Sequence, residues 1–289
     1  MNNEMKLLLW NLAGPYDASG GETWEQRLPT IGSVLKSDAY DFVVMQGVSA
    51  PEHSGQGYSM LIDILNLMPD YSFCYTRHLP NIQTSEGIVM CYRHSRWEAE
   101  INGGFRLWPP NTDRVLFCVL FHELDQDKKR TGRKIYVASS QSRDDEDLDI
   151  MREAIAMQMG HYLSKRPLPE VPVIWAGDVG MGEPSRLYDY VTGHTTAIAD
   201  QESATPQMAF QDSLAILHPG SHKAASVNNW RDYQPDGGVR RDFVFLSEGL
   251  APVSLDFNYI RTPGGQFPSN HFPQRAVISF DEKPKGSFH

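Results

Sequence analysis

Ten short runs rich in Val, Ile, Phe and Tyr recur along the chain, and any fold it adopts has to pair them as strands. They are Lys6–Trp10, Asp41–Met45, Tyr71–Thr76, Gly87–Tyr92, Val115–Phe121, Lys134–Ser139, Val171–Ala176, Asp242–Ser247, Val253–Tyr259 and Arg275–Phe280. Gly, Pro, Asn or Asp stands near many of their ends, where the chain must turn. Helical spacing falls between some of them. The clearest case is Glu146–Leu163, where Leu148, Met151, Ile155, Met159 and Tyr162 repeat every three to four residues behind acidic residues. Trp24–Leu35 and Tyr58–Leu67 read as two further helices, with Pro29 suited to a first turn or a kink. Strands and helices are interleaved rather than segregated. That order predicts an α/β fold of two packed sheets with helices on their outer faces.

The 289 residues suffice for a sizeable core, and no internal repeat or low-complexity linker divides them. The expectation is one domain over residues 1–280 and a polar tail over 281–289, DEKPKGSFH. The 36 acidic residues outnumber 26 Lys and Arg, for a formal charge of −10. This sign is opposite to the footprint of a sequence-independent nucleic-acid binder. No run of about 18 apolar residues is present, so no membrane-crossing helix is expected. The stretch MNNEMKLLLWNLAG has too short an apolar run for a signal peptide and reads as a first strand, which makes the cytoplasm the expected compartment. Cys74, Cys91 and Cys118 form no CxxC pair and sit in apolar runs, as buried small hydrophobes do in a reducing compartment.

Four strand ends carry polar groups for which a core has no use. LLLWNLAG presents Asn11, VPVIWAGDVG presents Asp178, VRRDFVFLS presents Asp242, and FPSNHFPQRAVISF presents Asn270 and His271. Strand-end loops mount catalytic groups on a rigid scaffold. Each group taken singly also reads as turn chemistry, since Asp after Gly is a common turn residue.

The order of WNLAG, DFVVMQG, EGIVMCYRHSRWE, KIYVASSQS, VIWAGDVG, RRDFVFLS and PSNHFP resembles the endonuclease/exonuclease/phosphatase superfamily, the DNase-I-like fold of metal-dependent phosphodiesterases and phosphatases. The resemblance runs from about residue 6 to residue 280. It implies a four-layered α/β sandwich. It also implies a catalytic divalent ion held by the Glu of a Gln-Glu pair on the second strand, where this chain has Gln46 and Gly47. The family's Thr-His-Leu-Asp is here Ser140, Gln141, Ser142 and Arg143. Its Gly-Asp-Phe-Asn is Gly177, Asp178, Val179 and Gly180, and its Ser-Asp-His is Ser269, Asn270 and His271. The Asp of its Ile-Asp-Tyr-Ile-Phe motif survives as Asp242.

The departures follow a pattern. Positions that in the family hold metal and grip phosphate are depleted at Gly47, Gln141, Gly180 and Asn270, while Asn11, Asp178, Asp242 and His271 are kept. In the family the Asp orients and charges the His, as in any His–carboxylate dyad. A Mg²⁺ ion is usually bound through one or two carboxylates plus waters. The expectation is therefore no metal in the ancestral site and no cofactor. His271, Asp242 and Asp178 would be catalytic, and Asn11, Asn270, Gln141 and Trp175 would bind substrate. Trp10, Trp108, Trp175, Trp230 and Tyr233 either line an apolar pocket or fill the core. The leading expectation is metal-independent acid–base chemistry, a cyclisation, isomerisation or elimination, on a small organic substrate, with neither nucleic acid nor membrane as partner. Two others stay open. One is a non-catalytic binding module. The other is a divergent phosphoesterase or nuclease whose Mg²⁺ ligands have moved to residues such as Glu86, Glu183 or Asp189.

Overall fold

Alternation along the strands sorts the chain into layers. A computed structural model describes residues 3–14, 22–50, 59–77, 86–107, 115–141, 158–179, 185–194, 208–220, 225–228, 230 and 239–281. In chain order the elements are β1 (Glu4–Asn11), α1 (Trp24–Leu35), β2 (Phe42–Ser49), α2 (Met60–Leu67), β3 (Tyr71–Arg77), β4 (Glu86–Arg93), β5 (Trp97–Leu107), β6 (Leu116–Leu124) and β7 (Arg130–Ser140). There follow α3 (described over 158–164), β8 (Val173–Asp178), α4 (Arg186–Val191), β9 (Gln211–Asp212), α5 (Ser213–Leu217), β10 (Asp242–Leu246), β11 (Leu250–Phe257) and β12 (Gln274–Phe280).

The strands form two six-stranded sheets, ordered β11-β12-β1-β2-β4-β3 and β5-β6-β7-β8-β10-β9. The β1–β2 and β7–β8 pairs are parallel and the other neighbours antiparallel. Successive strand residues point to opposite faces. Leu7, Leu9, Phe42, Val44, Ile135, Val137, Ile174, Ala176, Val244 and Leu246 thus meet in the core between the sheets. The other parity of β1 and β2 packs Leu8, Trp10, Val43 and Met45 against Trp24, Ile31 and Ile64 of α1 and α2. On the second sheet, Trp175, Phe243 and Phe245 pack against Met159 and Leu163 of α3 and Leu187 and Tyr190 of α4. Helices, sheet, sheet and helices make the four layers. Each such side chain contributes about 1.5–3 kcal/mol on full burial.

Several boundaries differ from the sequence expectation. β8 begins and ends two residues later, which brings Asp178 into the strand, and β11 begins at Leu250 rather than Val253. β5, β9, α4 and α5 lie outside the sequence expectation. β5 reads WEAEINGGFRL, with Glu and Gly where strand formers are expected, and its pairing with β6 shifts register between Glu100 and Phe105. Pro29 lies beyond the first turn of α1, and the helix continues through it to Leu35. Cys74 is half-buried, whereas Cys91 and Cys118 are buried as expected. Of the helix expected over Glu146–Leu163, residues 146–157 lie outside the described residues, as do Trp108, Gly180, Glu183, Tyr233 and 282–289 of the tail. No helix among the described residues is long and apolar enough to cross a membrane.

Candidate active site

At one end of the seam between the sheets, the inward-facing series of five strands turns polar. Met5, Leu7 and Leu9 lead to Asn11 on β1, Phe42 and Val44 to Gln46 on β2, and Ile135 and Val137 to Ser139 and Gln141 on and just past β7. Ile174 and Ala176 lead to Asp178 on β8. On antiparallel β10 the order is reversed, and Asp242 precedes Val244 and Leu246. The register does the rest. Asn11 pairs with Gln46, and Asp242 stands opposite Asp178. Two carboxylates directly across a ladder repel each other unless a proton or cation intervenes.

His271 intervenes. Its Nδ1 lies 2.7 Å from Asp242 Oδ2, and its ring is buried. Burial by itself lowers the imidazole pKa. The charge and hydrogen bond of Asp242, together with the charge of Asp178, outweigh burial and the opposing Arg241, so the net shift is upward from 6.5. The Asn11 amide completes the floor. The Ala13 N–H donates to Asn11 Oδ1 at 3.0 Å, which turns Nδ2 toward Asp178 Oδ2 and His271 Nε2, each 3.5 Å away.

The loop that carries His271 is fastened from several sides. Ser269 Oγ donates to Asn11 O at 2.6 Å and accepts from His271 N at 3.2 Å. Trp10 Nε1 donates to His271 O at 3.0 Å, and Asn228 Nδ2 donates to Ser269 O at 2.9 Å. Fully buried Arg27 donates to Leu12 O, Gly14 O and Pro268 O at 3.1, 2.6 and 3.0 Å. It thereby ties the exit of β1 to the His271 loop. Its guanidinium lies 5.6 Å from the ring centres of both Trp24 and Trp230.

Gly47 sits in a bulge where β2 shifts register against β4, between Met45 and Val48, with a φ of +66°. Its N–H donates to Gln141 Oε1 at 3.1 Å and its carbonyl accepts from Gly14 N at 3.0 Å. A Cβ at this position would stand 2.9 Å from Ala13 N, 3.0 Å from Gly14 N and 3.1 Å from Asn11 Oδ1. β2 brings no carboxylate to this side of the cleft and leaves little room for one at position 47, so the ligand that the resemblance implies on that strand has no counterpart there; the Glu86 carboxylate lies against Gly14 instead. Asp178, Asp242 and His271 themselves offer ligand atoms within 4.8 Å of one another, close enough to surround a cation. Neither Glu86 nor Asp189 joins that group among the described residues.

The structure thus brings Asn11, Asp178, Asp242 and His271 together. Asn270 lies beside them, with its carbonyl accepting from Asn228 N at 2.8 Å and its side chain only partly exposed. Gln141 reaches the cleft, but its amide oxygen is committed to Gly47. Trp175 does not reach it. Parity puts Trp175 on the opposite face of β8 from Asp178, buried against Phe210 and Phe245, with Nε1 donating to Ser140 Oγ at 3.1 Å. Trp10 is likewise a core residue. Sequence reasoning missed Gln46, Ser139, Asn228 and Arg27. Gln46 and Ser139 had a usable signal, a polar residue at the last inward position of an apolar alternation. Arg27 had none.

No protein-family profile matches the chain, and no curated protein matches it in sequence. Solved structures do match its fold. An endonuclease/exonuclease/phosphatase from Bacteroides vulgatus aligns with a TM-score of 0.70 at 16% identity, over 96% of this chain and 99% of that one. The mannosyl-6-phosphatase Bt3783 of Bacteroides thetaiotaomicron aligns at 0.68 and 17%, over 96% and 100%. D. rerio TDP2, complexed with a single-strand DNA product, aligns at 0.69 and 16%, over 96% and 100%. The chain has the endonuclease/exonuclease/phosphatase fold, in agreement with the order of its motifs.

Proposed function

We propose that the cleft carries out metal-independent proton transfer on a small organic substrate, a cyclisation, isomerisation or elimination. The observation that carries this reading is the buried His271–Asp242 pair at 2.7 Å, preserved beside a β2 position that is closed to a metal-binding carboxylate. The Nδ1 bond to Asp242 fixes the orientation and tautomer of the ring, so Nε2 is the atom that takes or gives a proton. Asp178 supplies a second carboxylate next to Nε2. Reactions of this class remove a proton at one atom and return one at another, and two proton carriers side by side suit them. The Asn11 amide, held by Ala13, is oriented to donate to charge that develops on substrate oxygen. Asn270 is the flanking substrate contact.

A second reading has its own observation. Asp178, Asp242 and His271 converge closely enough to hold a cation, and two of the fold neighbours described above bear the names of phosphatases. Under it the protein is a divergent phosphoesterase. Assays of phosphomonoester, nucleic-acid and proton-transfer substrates in EDTA and in Mg²⁺ or Mn²⁺ separate the two. The first reading expects turnover that EDTA leaves unchanged and phosphoesterase activity at background. Phosphate release abolished by EDTA and restored by metal overturns it.

A further inference from the structure

We infer that the cleft floor recognises an organic ammonium, a protonated amine, rather than a phosphate ester. This deepens the metal-independent reading and rests on it. The first ground is charge. Asp178 and Asp242 are both buried and directly opposed. With His271 protonated, the three groups sum to minus one, and with His271 neutral to minus two. Arg241, half-buried beside Asp242, brings the floor at most to neutrality. Arg27 and Arg240 are engaged elsewhere, Arg27 on three backbone carbonyls and Arg240 on Asp212 through two bonds of 2.7 Å. A phosphate dianion entering without a metal meets no net positive charge.

The second ground is hydrogen-bonding polarity. Among the described residues no donor reaches Asp242 Oδ1, Asn270 Oδ1 or Gln46 Oε1, all of them buried atoms. Asp242 is 1% exposed and Gln46 fully buried. Gln46 is in register with Asn11, so its side chain shares the inward face on which Asn11 meets Asp178. Buried acceptors without donors are costly, and a ligand that brings N–H groups relieves them. An ammonium has three donors and no acceptor, and its positive charge complements the carboxylates. A phosphate brings no donor to these three acceptors, although Asn11 Nδ2 could still donate to it. At the position where the fold family grips phosphate, Gln141 spends its amide oxygen on Gly47.

The test is calorimetric titration of the whole protein near neutral pH with benzylamine, 1,4-diaminobutane and inorganic phosphate, each in EDTA and again in Mg²⁺. The expected result is amine binding in EDTA, weakened about tenfold or more by Asp178→Asn, with phosphate silent in both buffers. Asn270→Asp adds a negative charge beside the same acceptors and should tighten amine binding several-fold, a gain that misfolding cannot imitate. Phosphate binding in EDTA, or no binding of either amine at millimolar concentration, overturns the inference and leaves metal-independent catalysis standing. Phosphate binding that appears only with Mg²⁺ overturns both. Amine binding indifferent to Asp178→Asn and Asn270→Asp also overturns the inference, because it places the amine elsewhere.

Discussion

The backbone N–H of Gly47 donates to Oε1 of Gln141 across 3.1 Å, so two positions at which the chain departs from the fold family's motifs are in contact. Where the motifs that the sequence resembles carry a carboxylate and a histidine, this chain has Gly47 and Gln141, and the two satisfy each other. The left-handed φ of Gly47 disfavours any side chain at this position. Gly47→Ala should cost about 1–3 kcal/mol in denaturant unfolding, because a non-glycine residue is strained in that region. Gly47→Glu should cost at least as much and confer no Mg²⁺ affinity by calorimetry. A stable Gly47→Glu protein that binds Mg²⁺ at micromolar concentration would show that the bulge yields.

Metal removal gives a second measurement. A ligand at one hundred times its Kd adds about 2.7 kcal/mol to the stability of the folded state. Thermal melts in EDTA and in millimolar Mg²⁺ should coincide. A Tm raised by Mg²⁺ and restored to the EDTA value by Asp178→Ala would favour the phosphoesterase reading.

The His271 pair predicts a pH dependence with a definite sign. Its folded pKa is raised, so its stabilising contribution is full below the unfolded value of about 6.5 and is lost as pH rises through the folded pKa. The stability difference between wild type and His271→Gln should therefore be largest below about pH 6.5 and shrink above it. Asp242→Asn removes the charge and exchanges a carboxylate for a weaker, neutral amide acceptor, and should lower the titration midpoint of His271 followed by NMR. A midpoint unmoved by Asp242→Asn contradicts the pairing.

With a turned-over substrate in hand, His271→Ala should reduce the rate by about 10²–10⁴, the range for one lost acid–base group. Asp242→Asn should cost comparably or less, since it spoils the tautomer and leaves the shape. If no substrate turns over and His271→Ala changes only the Tm, the protein is a binding module on this fold.

Arg27 is a positioning residue whose effect is measurable at a distance. Arg27→Met leaves Leu12, Gly14 and Pro268 carbonyls without their donor and should cost about 3 kcal/mol. It should also shift the imidazole NMR signals of His271, because the loop and the β1 exit lose their common tie. Arg27→Lys, which keeps the charge and some donors, should restore part of both. Loss of stability with unchanged His271 signals would make Arg27 a purely structural residue.

Much of the fold was legible because it is written in local runs of residues. The runs that became β1, β2, β6, β7 and β10 are nearly continuous apolar stretches, and each reads as a strand buried on both faces without knowing its partner. β5 escaped because Glu, Asn and Gly occupy a strand that neighbouring β6 holds in place. Trp175 stands only three residues from Asp178 in sequence and yet lies away from the cleft. Counting parity would have placed it in the outer layer, since three residues along a strand reverse the face.

What the sequence by itself determined is most of the strands, the first two helices, their layering and the polar residues at the strand ends. All of these follow from residue type and spacing over a few positions. What only the tertiary structure decided are relations between distant segments. Gly47 and Gln141 are 94 positions apart, Arg27 and Pro268 are 241, and Asn11 and His271 are 260. The positive φ of Gly47 arises from a register shift against β4, and the raised pKa of His271 from a carboxylate on another strand and one opposite it. A hydrogen bond or a charge acts through space over a few ångströms, and no local pattern in the chain records which residues folding will bring within that reach.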